Sequence, residues 1–190
     1  MGALMEEYDL VNKISIVPRG GAGGVTIFTP NEEAMESGMY TKAYLENRIC
    51  VAMGGRIAEE IINGKDKVTT GASNDFQQCT STAKMMVEQM GMSDIIGPRN
   101  ISGGGGGGNM FQAQAAGEGS NIKNKADAEV DRILKEQYER GMKLLSENRP
   151  VLDLIANALV EKEKITGTEM LALIRGIRPD LVTDEAIARV

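Results

Sequence analysis

Residues Lys13–Thr29 read KISIVPRGGAGGVTIFT, and the contrast between this stretch and the chain after Thr29 decides the fold class. Ile14, Ile16, Val25, Ile27 and Phe28 favour extended backbone, and Gly20, Gly21, Gly23 and Gly24 lie between the two apolar runs. The pattern predicts two short strands joined by a glycine loop. The loop is not a P-loop, because no GK[ST] comes after it.

Beyond it the period changes. Leu45, Ile49, Met53, Ile57 and Ile61 recur at four-residue spacing, which predicts one helix over Thr41–Asn63 ending at Gly64. Gly54 and Gly55 inside it each disfavour helix by about 1 kcal/mol relative to Ala, which suggests that another backbone packs close to them. Next comes VTTGASNDF, Val68–Phe76, where Ser73 is the expected N-cap and Asp75 falls in the first turn of a helix closed by Gly91. The methionines of that helix, Met85, Met86 and Met90, read as core rather than as a binding groove.

Residues Ile101–Lys125 are polar and glycine-rich, with six consecutive glycines at Gly103–Gly108, and read as a mobile loop. Helical periodicity resumes over Ala126–Glu147 through Val130, Ile133, Leu134, Tyr138, Met142 and Leu145. Pro150 suits the first turn of a further helix, and Thr166 with Glu169 forms a capping-box pattern before Met170, Leu171, Leu173 and Ile174. Pro179 is expected to close the folded part. The fold class is mainly α with a small N-terminal β-sheet.

Composition narrows the function. The 190 residues carry a net charge of -6, and there is no basic stripe with interleaved aromatics, which argues against nucleic acid as a partner. No apolar run of about 18 residues is present to span a membrane. The two cysteines, Cys50 and Cys79, form no CxxC pair and read as buried free thiols of a reducing compartment. There is no histidine, so a zinc site would need carboxylates alone, an unusual ligand set for that ion.

Four stretches, KISIVPRGGAGG, GGRIAEEIING, VTTGASNDF and MGMSDIIGP, occur in this order between about residues 2 and 176. Together they resemble the peptidase domain of the FtsH family of membrane-anchored, ATP-dependent zinc metalloproteases. FTPNEEAMESGMYTKAYLEN is most similar to its plastid and cyanobacterial branch. The resemblance implies one peptidase domain over residues 1–178, with the glycine-rich loop at 102–125 and a tail at 179–190. It also implies zinc held by the two histidines of an HExxH helix and a later aspartate, whose position here is Asp75. The HExxH helix would come just before Gly2, so Gly2–Met5 resemble its end and the domain reads as N-terminally truncated. No zinc is therefore expected in this chain, and ATP would be used by a module outside it.

Several site assignments stay open on the residues alone. A carboxylate in a first helical turn, such as Asp75, is also favoured by the helix dipole without any metal. Glu59 and Glu60 read as a solvated face, as a pair with Arg56, or as support for the metal helix from behind. Gly24, Val25, Thr26, Ile27 and Phe28 read either as an ordinary edge strand or as an edge that binds extended substrate. Two functions compete. One is the C-terminal part of a protease that degrades damaged or unassembled thylakoid membrane proteins. The other is a catalytically dead, FtsH-like scaffold in a hexameric complex. The resemblance further implies FtsH-type subunits as partners and the stromal side of the chloroplast thylakoid membrane as the location, with a cyanobacterial membrane as the second choice. Any membrane attachment would run through a segment outside this chain.

Overall fold

A computed structural model describes residues 1–5, 8–18, 20, 23–30, 36–102 and 116–182. It is mainly helical with one small sheet, as expected. The chain divides into two compact units, one made of Met1–Tyr40 with Met142–Val190 and the other of Thr41–Gly141.

The first unit holds the sheet. Strands β1 (Leu10–Ser15) and β2 (Val25–Thr29) pair antiparallel, with Ile14 opposite Thr26 and Ser15 opposite Val25. The register shifts between Val11 and Lys13, which leaves Asn12 as an extra residue on β1. Gly24 sits where a side chain cannot: a Cβ there would lie 2.9 Å from the Ser15 carbonyl oxygen. Gly21 of the joining loop lies outside the described residues.

A third strand, β3 (Lys164–Thr166), pairs antiparallel with the other edge of β1 and gives the order β2-β1-β3. Sequence periodicity did not predict it. Helices α5 (Arg149–Lys162) and α6 (Gly167–Ile177) flank β3. Pro150 occupies the first turn of α5, and the Thr166–Glu169 capping box opens α6, both as expected. The core of this unit is Val11, Val151, Ile165, Met170, Leu171, Ile174 and Val182, with Ile14 and Phe28 packed against it. Val182 is buried and Pro179–Leu181 forms a 3-10 turn, so ordered structure runs past Pro179. Residues 183–190 of the expected tail lie outside the described residues.

The second unit contains α1 (Lys42–Ala52), α2 (Gly54–Asn63), α3 (Ser73–Glu88) and most of α4 (Ala116–Glu147). The helix expected over Thr41–Asn63 is in fact two helices with Met53 between them. Its apolar stripe nevertheless runs through the break: Leu45, Ile49, Met53 and Ile57 are all buried. The close backbone approach expected at the glycine pair is absent at Gly55, where an added Cβ would meet open space. α1 packs against α3, whose Cys79, Ala83, Met86 and Val87 are buried.

Of the methionines read as core, only Met86 is; Met85 and Met90 are exposed at 38% and 47%. Met85 points to a different face of α3 from its neighbour Met86, and Met90 lies beyond the end of the helix at Glu88. Gly64 ends α2 with φ 85°, as expected. Gly91 comes after the end of α3 with φ 63°, and a Cβ there would also crowd Pro98 Cα at 3.1 Å. α4 begins at Ala116, well before the predicted Ala126, so part of the expected 102–125 loop is helix. Gly103–Gly108 lie outside the described residues.

Candidate functional site

The VTTGASND segment enters α3 through a 3-10 turn at Thr70–Ala72. Thr69 starts that turn, and its hydroxyl oxygen accepts a hydrogen bond from Gly71 N at 3.2 Å. Ser73, the expected cap of α3, is instead its first helical residue, and its hydroxyl donates to the Thr70 carbonyl at 2.5 Å. The N-cap position of α3 is Ala72, which offers no side-chain cap, and the side-chain cap in this segment is that of Thr69 on the 3-10 turn ahead of the helix. Asp75 lies in the first turn of α3, as the sequence predicted, and is half-buried.

α2 supports this turn. Glu59 Oε1 accepts from the Thr69 hydroxyl at 2.6 Å, and Glu59 Oε2 accepts from Thr69 N at 3.1 Å. Those two donors hold the Glu59 carboxyl below the usual carboxylate range. Arg56, almost one turn earlier, donates to the Thr69 carbonyl at 3.3 Å, and its guanidinium carbon lies 6.0 Å from the centre of the Phe76 ring.

Glu60 has a different environment. It accepts a hydrogen bond from the Tyr138 hydroxyl of α4 and forms an ion pair with Lys65 at 3.6 Å. Burial, with the Glu60 carboxylate, pushes the Tyr138 phenol up to about 12. The structure thus brings Arg56 and Glu59 to the turn that leads to Asp75, and joins Glu60 to α4. Thr69 and Tyr138 were missed from sequence. A hydroxyl residue ahead of a helix is a cap signal that could have found Thr69. A tyrosine inside an apolar stripe carries no signal of its polar partner.

Zinc requires three or four converging ligands. Among the described residues, no group of three His, Cys, Asp or Glu side chains converges to hold a metal ion, and the sequence has no histidine. Cys50 and Cys79 are free and buried, and burial raises both thiols, that of Cys79 to about 11. The donor set of the described residues does not fit a zinc ion.

In the first unit, β2 pairs only with β1 in the sheet, so its other edge has no strand partner among the described residues. Gly24, Val25, Thr26 and Ile27 are exposed, with Val25 at 44% and Ile27 at 48%, while Phe28 is half-buried and packs toward the core. Among the described residues, no helix is long and apolar enough to cross a membrane.

Comparison with known proteins leads to the same family as the four motifs. The model of peptidase family M41 matches residues 1–173. The chain is 48% identical over 178 residues to ATP-dependent zinc metalloprotease FtsH 3 of Synechocystis, an alignment covering 92% of this chain and 29% of the relative. It is 47% identical over 177 residues to the chloroplastic ATP-dependent zinc metalloprotease FTSH of Nicotiana tabacum, covering 91% of this chain and 24% of that protein. The chloroplastic FTSH 1 of Arabidopsis thaliana is 45% identical over 177 residues, with 91% and 24% covered. The chain thus spans between about a quarter and 29% of the length of these relatives. With its motifs in order, its helical fold with a small sheet, and a match over residues 1–173, the chain belongs to peptidase family M41 as an FtsH-type peptidase domain.

Proposed function

We propose that this chain is the C-terminal peptidase-domain portion of an ATP-dependent, membrane-anchored zinc metalloprotease that degrades damaged or unassembled membrane proteins. The observation that carries this reading is the match to peptidase family M41 over residues 1–173, together with relatives named as ATP-dependent zinc metalloproteases. In this reading Asp75 occupies the family's third ligand position. The two histidines and the glutamate of HExxH are not among these residues, so the chain alone neither holds zinc nor cleaves peptides.

The free edge of β2 supports a substrate role for Gly24–Phe28. An extended segment of unfolded chain would add to it as a strand, and main-chain hydrogen bonds would give affinity with little dependence on sequence. ATP would be used by a module outside this chain, and membrane attachment would also lie outside it. The partners would be FtsH-type subunits in a hexamer. The chloroplastic and cyanobacterial names of the relatives support a thylakoid location, with this domain on the stromal side in a plastid.

A second reading is a catalytically inactive FtsH-like subunit that keeps an assembly role; the lack of histidine supports its loss of catalysis but not the assembly role itself. Sequencing the transcript upstream of Met1 separates the two. An in-frame HExxH a few codons before Gly2 supports the protease portion, and a genuine start without it supports the scaffold. For the purified 190-residue chain, elemental analysis should find no stoichiometric zinc and casein should remain intact. Stoichiometric zinc with chelator-sensitive cleavage would overturn the claim of inactivity.

A further inference from the structure

The two adjacent glutamates of GGRIAEE are not equivalent. Every polar group of the Thr69 residue is engaged: its amide and hydroxyl donate to Glu59, its carbonyl accepts from Arg56, and its hydroxyl oxygen accepts from Gly71. Glu59 and Arg56 are three residues apart on α2 and therefore share a face. They hold Thr69 through both of the peptide groups that flank it. From Thr69 the chain has no slack before Asp75: a 3-10 turn runs directly into α3, and the Ser73 hydroxyl bond to Thr70 closes the junction. Phe76, the neighbour of Asp75, lies beneath the Arg56 guanidinium. Glu60 faces Tyr138 and Lys65 instead.

We propose that Glu59 is a positioning residue, which acts through Thr69 to fix the turn that presents Asp75, whereas Glu60 ties α2 to α4 through the Tyr138 hydroxyl. This inference rests on the reading of Asp75 as a ligand position. Both donors of Thr69 point at one carboxylate, so the charge of Glu59 suits the task and an amide does not. Glu59→Gln would set an NH2 group against one of the two donors and lose at least one of the bonds. Thr69→Ser keeps the hydroxyl, and Thr69→Val removes it at nearly constant shape.

The test uses the 190-residue chain, labelled with nitrogen-15, and reads amide hydrogen exchange and chemical shifts by NMR. Glu59→Gln and Thr69→Val should speed exchange at the Gly71 amide by about tenfold and displace the amide resonances from Thr70 to Asp75. Thr69→Ser should restore the wild-type pattern. Glu60→Gln should leave that segment unchanged while perturbing the Tyr138 ring. An unchanged Gly71 amide and Asp75 resonance in both Glu59→Gln and Thr69→Val would overturn the proposal. So would an equal disturbance of the segment by Glu60→Gln. These amides report the turn whatever Asp75 binds. A missing upstream HExxH would therefore sink the ligand reading of Asp75 without moving this readout.

Discussion

The Glu129 carboxylate of α4 accepts a hydrogen bond from the Ser93 hydroxyl at 3.1 Å, joining residues 36 positions apart, and both side chains are buried. Arg132 donates to the same carboxylate through Nε at 2.7 Å and through its NH2 group at 2.8 Å. The Ser93 hydroxyl oxygen in turn accepts from Ile96 N at 3.2 Å, so one carboxylate organises the loop after α3.

Breaking this junction should destabilise the chain in a pH-dependent way. The Arg132 guanidinium first, and the Ser93 hydroxyl after it, hold the Glu129 carboxyl below its usual value against the opposing effect of burial. The folded-state value is thus lower than the unfolded one of about 4.3. The contribution is then complete above about pH 4.3 and is lost as the pH falls through the folded-state value. Glu129→Ala should cost about 1.5–3 kcal/mol at pH 7, because it removes charged hydrogen bonds and leaves Ser93 short of a partner. Urea melts at pH 7 and pH 3.5 check this: the gap between wild type and variant should narrow at the lower pH.

Gly24→Ala should loosen the β1–β2 hairpin. The new Cβ would stand 2.9 Å from the Ser15 carbonyl oxygen, and only backbone movement can relieve that contact. A cost of about 1–3 kcal/mol is expected, with faster amide exchange along β2. Gly23→Ala is the control, since a Cβ at Gly23 meets nothing within 4 Å.

Glu163→Gly should stabilise the chain. Glu163 ends α5 with φ 61°, and its carbonyl accepts from Ile16 N at 3.0 Å. A left-handed conformation costs any residue with a Cβ, and glycine removes that cost while keeping the backbone bond. The net gain should be about 0.5–1 kcal/mol, read as a higher thermal midpoint.

The two thiols should resist alkylation in the folded chain. Burial raises both, Cys79 to about 11, and the Cys79 thiol donates to the Ile49 carbonyl at 3.5 Å. At pH 8 almost no thiolate is then available to react. Iodoacetamide should label neither cysteine natively and both in urea, as read by mass spectrometry.

The elements legible in the sequence are those that carry a local signal. β1 and β2 announced themselves through Ile14, Val25 and Ile27 around a glycine loop, and the Thr166–Glu169 box through its spacing. Asp75 was placed in its helical turn, but the cap was assigned to Ser73, because the 3-10 turn at Thr70–Ala72 leaves no periodic mark. The break at Met53 was hidden because burial continues from Ile49 through Ile57 across it. The early start of α4 was hidden for the opposite reason: its first turns include Gly117, Gly119, Ser120 and Asn121, which show no apolar stripe. Lys164–Thr166 is too short for alternation to register, and its extended form comes from pairing with Lys13–Ser15. The hold of Glu59 on Thr69 was out of reach, since a helix sequence does not say which distant turn its carboxylate meets.

The pairing of Lys13 with Thr166 also governs how the chain can fold while it is being made. A ribosome delivers Leu10–Ser15 and Val25–Thr29 early, and then the whole of Thr41–Gly141, before Ile165 exists. The unit Thr41–Gly141 can therefore close first, whereas the hairpin waits with one edge of β1 bare until Lys164–Thr166 emerges. A bare edge is a template for wrong pairing during that interval. The nascent hairpin is therefore open to mispairing in a way that the finished sheet, with both edges of β1 paired, is not.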